Sequence, residues 1–121
     1  MDTIEMSTRI RLAWWTVVAA CAALLPTAPT FAQEVDVENA MAIARKGSCL
    51  RCHAIDKRKK APSYQEIGKK YSAKPDGEAL LTKHVTGKNK VKIESSDEDH
   101  DPIPAKDDKE VKNFVRWVMT R

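Results

Sequence analysis

Long apolar runs are missing from this chain. The longest, residues 12–25, falls short of the roughly 18 residues a membrane-spanning helix needs and is closed by Pro26 and Pro29, so a retained anchor is not expected. Internal repeats are absent, and no stretch alternates convincingly enough to read as a strand, which points to an all-α chain. The basic stretch 57–60 has no aromatic residue interleaved, which argues against a nucleic-acid surface. Cysteine is scarce, with three in 121 residues, at positions 21, 49 and 52.

The N-terminal part reads as an address. Arg9 and Arg11 precede the apolar run, and a Pro/Thr/Ala stretch ends at Thr30-Phe31-Ala32, so residues 1–32 are expected to be a secretory signal cut after Ala32. Asp2 and Glu5 are unusual ahead of such a signal, which makes Met6 an alternative start. Val18-Ala19-Ala20-Cys21 also resembles a lipoprotein processing site, so a lipid or signal anchor is the alternative to a free periplasmic protein. The remaining residues, 33–121, make one domain of a size at which a hydrophobic core alone is marginal and a staple is usual.

Four helices are expected in that domain. In residues 34–45, Val37, Ala40, Met41 and Ala44 fall on one face, with acids at the start and Gly47 at the end. A short helix after Pro62 holds Tyr64, Ile67 and Tyr71, and Lys74-Pro75-Asp76-Gly77 is a turn. Residues 78–85 form a third helix with Leu80, Leu81, His84 and Val85 along one side. The last is capped by Asp107 or Asp108 and carries Val111, Phe114, Val115 and Val118 in a stripe, with Trp117 beside it. Residues 87–104 lack periodicity and read as loop.

The two cysteines of the domain stand two residues apart, which in an exported chain fits a redox dithiol, half a metal site or a haem attachment. His53 directly after them selects the last: two thiols form thioethers to the haem vinyl groups, and the adjoining imidazole ligates the iron from one side. A zinc site completed by His84 and His100 is the competing reading of the same pentapeptide.

Cys49-Leu50-Arg51-Cys52-His53-Ala54-Ile55-Asp56, Pro62-Ser63-Tyr64-Gln65-Glu66-Ile67, Lys69-Lys70-Tyr71 and Val115-Arg116-Trp117-Val118 resemble the class I cytochromes c, in particular the small bacterial single-haem proteins. The resemblance implies three to five short helices around one covalently bound haem c, with the first and last helices crossing. It also implies that Pro62 offers its carbonyl to the proximal His53, although Ala61 replaces the usual glycine. Tyr64, Ile67, Tyr71, Leu80, Leu81, Val85, Phe114 and Trp117 are then the apolar walls.

Relatives usually carry an axial methionine in a proline-rich loop before the last helix, and this sequence has none there. Met41 and Met119 are read as packing residues. The loop reads Asp97-Glu98-Asp99-His100-Asp101-Pro102-Ile103-Pro104, with His100 one residue from the expected place, so His100 is the expected ligand opposite His53. An open iron, His84 or a lysine are the alternatives. The implied function is electron transfer without catalytic residues, at low potential because imidazole favours ferric iron more than thioether does. A small-ligand haem protein, or the haem subunit of a larger periplasmic oxidoreductase, are the other readings. Charge is uneven, with 14 Lys/Arg against 4 Asp/Glu over residues 45–92, and 8 acids against 2 lysines over 94–110. Redox partners with an acidic docking face are therefore expected, the chain being a monomer or one subunit of a redox complex.

Overall fold

The structure is a computed structural model, and it describes residues 34–121. Among these residues four α-helices occur: α1 (Val37–Lys46), α2 (Tyr64–Ser72), α3 (Gly77–Thr86) and α4 (Asp108–Met119). A 3-10 turn, Cys49–Arg51, follows α1, and a two-stranded sheet separates α3 from α4. No described helix is long and apolar enough to cross a membrane.

Three of the four helices, α1, α2 and α4, start where a side chain satisfies one of the first free N–H groups; α3 has no such side-chain cap. The Asp36 carboxylate accepts from the Asn39 N–H at 2.8 Å, so residues 34–36 lie ahead of α1 rather than in its first turn as expected. Ser63 and Glu66 form a reciprocal capping box at α2. Asp107 caps α4 by accepting from the Glu110 N–H at 2.9 Å.

The other three helices all pack on α4. Its Phe114, Val115, Trp117 and Val118 are buried, and Ala40 and Ala44 of α1, both fully buried, bring the two helices close. A polar clasp fixes this pairing: Asn113 accepts from the Asp36 N–H and donates to the Asp36 carbonyl, each at 2.8 Å. Gly68 of α2 is a point of close approach, since a Cβ there would sit 2.5 Å from the Val118 carbonyl oxygen.

The segment 87–104 corrects the expectation of a loop without strands. β1 (Asn89–Ile93) and β2 (Ser96–His100) pair antiparallel, Asn89 opposite His100 and Ile93 opposite Ser96. Val91 and Ile93 alternate inward against exposed Lys90 and Lys92, but β2 reads Ser-Asp-Glu-Asp-His and has no apolar residue to signal a strand. The turn, Glu94-Ser95, puts Glu94 at φ 55° where a hairpin ordinarily uses glycine or asparagine. Cross-strand pairing of opposite charges helps hold the strands together, with Lys90 and Asp99 at 2.8 Å.

Gly68→Ala should force α2 away from α4 and cost about 1–3 kcal/mol, the usual range for overpacking. Denaturant unfolding of the haem-loaded protein measures it, and an unchanged midpoint would rule out the tight contact.

Candidate functional site

Cys49 and Cys52 stand on the 3-10 turn and just after it, both partly exposed and unlinked. Ser48 makes this turn possible by taking a left-handed conformation, φ 56°. Gly47 does not: its φ is −79°, and its role is space, since a Cβ there would lie 2.8 Å from Pro104 Cδ and 3.2 Å from Cys49 Sγ. The segment after the hairpin is thereby pressed against the start of the cysteine turn.

His53 Nδ1 lies 2.6 Å from the Pro62 carbonyl oxygen. A carbonyl only accepts, so Nδ1 carries the proton and the lone pair is left on Nε2, the nitrogen available to a metal. The intervening loop is tied back along its length, from the Ala61 N–H to the Cys52 carbonyl at 3.0 Å and from the Tyr64 N–H to the Ala54 carbonyl at 2.9 Å. Lys59 Nζ donates to the Leu50 carbonyl at 2.6 Å, which holds an exposed cation over the cysteine turn.

Aromatic rings back the histidine. Tyr64 stacks on His53 at 5.4 Å between ring centres and 21° between planes, and meets Trp117 at 4.9 Å and Phe114 at 6.2 Å. The Tyr64 hydroxyl and Trp117 Nε1 are buried without a hydrogen-bond partner. Burial pushes the Tyr64 pKa far up, reinforced by the neighbouring Cys49, and burial also raises the Cys49 thiol. Tyr71 lies at the margin of the core, with the ammonium groups of Lys70 and Lys74 each 5.8 Å from its ring. Met41 and Met119 also pack at that margin.

His100, at the end of β2, has its ring centre 6.4 Å from that of His53, with 70° between planes. Its Nδ1 is buried and has no partner. His84, on α3, is 4.6 Å from His100, a neighbourhood that sequence spacing does not reveal because the hairpin folds position 100 back onto α3. Burial lowers the pKa of both His84 and His100; His100 and His53 lower that of His84 further, and His53 lowers that of His100 against the opposing pull of Asp101. Two imidazoles on opposite sides of one metal, at bonds of about 2.0–2.1 Å, place their ring centres roughly 6–6.5 Å apart, against roughly 5 Å at a tetrahedral angle. The His53–His100 spacing is of that size, and the two thiols with the His53 imidazole are donors that would suit a covalently held haem.

A cytochrome c family model matches residues 37–121. The chain belongs to the cytochrome c family. It is 32% identical over 77 residues to cytochrome c-551 of Pseudomonas denitrificans, covering 60% of this chain and 85% of that one. Cytochrome c-551 of Pseudomonas aeruginosa is 28% identical over 102 residues, covering 81% and 91%. Among solved structures, the class 1 cytochrome MtoD from Sideroxydans lithotrophicus ES-1 superposes with a TM-score of 0.67 at 39% identity, over 72% of this chain and 97% of that one. Wild-type cytochrome c552 of Nitrosomonas europaea, at 22% identity and a TM-score of 0.52 over 66% and 96%, shares the fold.

As a class I cytochrome c the protein carries one covalent c-type haem, and Cys49 and Cys52 are the attachment pair of its Cys-x-x-Cys-His motif. Replacing both by alanine should leave haem extractable by acid–acetone and the chain largely unfolded, because so small a core depends on the cofactor. Far-UV circular dichroism checks this, and a native spectrum in the double variant would show that the cofactor is not the staple.

Proposed function

We propose that this cytochrome is a periplasmic electron carrier whose haem is ligated by His53 and His100, giving it a low reduction potential. The observation that carries the reading is the proximity of the two imidazoles, 6.4 Å apart at their centres in an edge-on arrangement, with His100 Nδ1 buried and unpartnered. Haem, when bound, supplies a one-electron couple; the protein's part is to hold both ligands still and keep the surroundings dry. Pro62 orients the His53 ring through its carbonyl and raises the basicity of the free nitrogen, while Tyr64, Phe114 and Trp117 exclude water behind it. With two strong axial donors no position is left for substrate, so the reading is of a carrier and not an enzyme. Export is supported by the signal-like segment 1–32, which lies outside the described residues.

Imidazole in place of thioether stabilises the oxidised state, and axial ligands are among the levers that spread haem potentials. The acids Asp97, Glu98, Asp99 and Asp101 act in the same direction, but all are exposed and Asp99 is paired with Lys90, so solvent and salt reduce their effect. His100→Met should raise the potential by on the order of 0.1 V if the sulfur reaches the iron, a fraction of the roughly 0.8 V that axial ligands span. His100→Ala should lose the low-spin ferric spectrum, whereas a sulfur-to-iron charge-transfer band in the wild type would exclude the assignment.

Docking is proposed to be electrostatic. Lys57, Lys59 and Lys60 are exposed beside the attachment turn, and a partner with an acidic face would be steered there. Electron-transfer rates with such a partner should fall several-fold between about 0.01 and 0.15 M salt, as the Debye length shrinks from about 30 to 8 Å. Stopped-flow measurement decides it; a rate that ignores salt rejects this docking mode.

A further inference from the structure

β1 and β2 have no fully buried residue, so apolar packing contributes little to holding the hairpin in place. The strand that carries His100 needs other anchors. On its C-terminal side the Ile103 N–H donates to the Val85 carbonyl at 2.8 Å. On the partner strand, at the same open end of the hairpin, the Asn89 side-chain amide donates to the His84 carbonyl at 2.7 Å and to the Gly87 carbonyl at 2.9 Å. The His84 carbonyl belongs to the last turn of α3, where no following helical N–H is available, so Asn89 satisfies an acceptor that the helix itself leaves open.

Asn89 is also the residue directly opposite His100 in the strand register. One side chain therefore ties the hairpin to α3 at the rung that holds the distal imidazole. The same bond fixes the backbone of His84, whose ring lies 4.6 Å from that of His100.

We propose that Asn89 is a positioning residue for the sixth ligand, its amide holding the β1–β2 hairpin against α3 so that His100 stays over His53. The proposal rests on the reading of His100 as ligand. It makes a distinction that simple packing does not: without the Asn89 donors the hairpin should release His100 while the four helices and the Cys49–Cys52 attachment stay intact. Asn89→Asp tests the donors themselves, because it keeps the shape and removes both N–H groups.

The experiment uses the haem-loaded protein and carbon monoxide as probe of an open sixth position. Asn89→Ala and Asn89→Asp should each raise the rate of carbon monoxide binding to the ferrous form about ten-fold over wild type. Ten-fold is about 1.4 kcal/mol, in keeping with the ordinary net strength of one or two such hydrogen bonds. Thermal unfolding followed by far-UV circular dichroism should stay within a few degrees of wild type. His100→Ala, run beside them, should bind carbon monoxide without the barrier. If His100→Ala opens the site while both Asn89 variants bind as slowly as wild type, the role of Asn89 is wrong and the ligand assignment stands. If His100→Ala itself matches wild type, the ligand assignment fails and the proposal falls with it. Loss of the whole fold in both Asn89 variants, with no state that is folded and open, also overturns it.

Discussion

The hydrogen bond between His53 and the Pro62 carbonyl connects the chemistry to the fold. It sets the tautomer of the imidazole, and it can form only if the chain returns to its starting point over a separation of nine positions. They do so through backbone bonds from Ala61 to Cys52 and from Tyr64 to Ala54. The same return delivers Ser63 to the start of α2, where its capping box with Glu66 begins the helix that presents Tyr64 to the back of the His53 ring. Ligand orientation, loop closure and helix initiation thus depend on one another, and damage to one weakens the other two.

α4 is the wall against which this arrangement rests. Phe114 and Trp117 meet Tyr64 on one side, and Val115 is buried in the same core as the small residues of α1, whose C-terminal end leads into the cysteine turn. The reciprocal bonds between Asn113 and Asp36 bring together residues 77 positions apart and align the first helix on the last. Buried polar atoms without partners occur at Tyr64, Trp117 and His100 and at no other described side chain that is not exposed, and all three residues belong to the histidine cluster or the rings behind it.

The two imidazoles are held by structures of different character. His53 sits in a loop fastened to the core by several backbone bonds and covered by rings. His100 sits at the end of a polar hairpin that has no fully buried residue and is fastened at its open end. Local opening follows buried contacts and protected hydrogen bonds, so the distal arm is the segment with the lower cost of release. If His100 ligates the iron as proposed, the protein has a firmly held proximal side and a second ligand whose hold depends on a few polar contacts.

The sequence by itself determined what local chemistry and short-range periodicity can specify. The Cys-x-x-Cys-His spacing names the cofactor, the apolar stripes locate four helices to within a few residues, and the missing methionine before α4 directs attention to His100. Helix caps such as Asp107 are legible for the same reason, since donor and acceptor lie three residues apart. Tertiary structure alone decided that residues 89–100 form a hairpin, because the pairing energy lies between two strands and β2 is entirely polar. It also decided that His84 stands beside His100 and that Asn89 caps α3. Those contacts join elements whose relative placement is set by packing on α4, and no spacing along the chain records where two packed elements will meet.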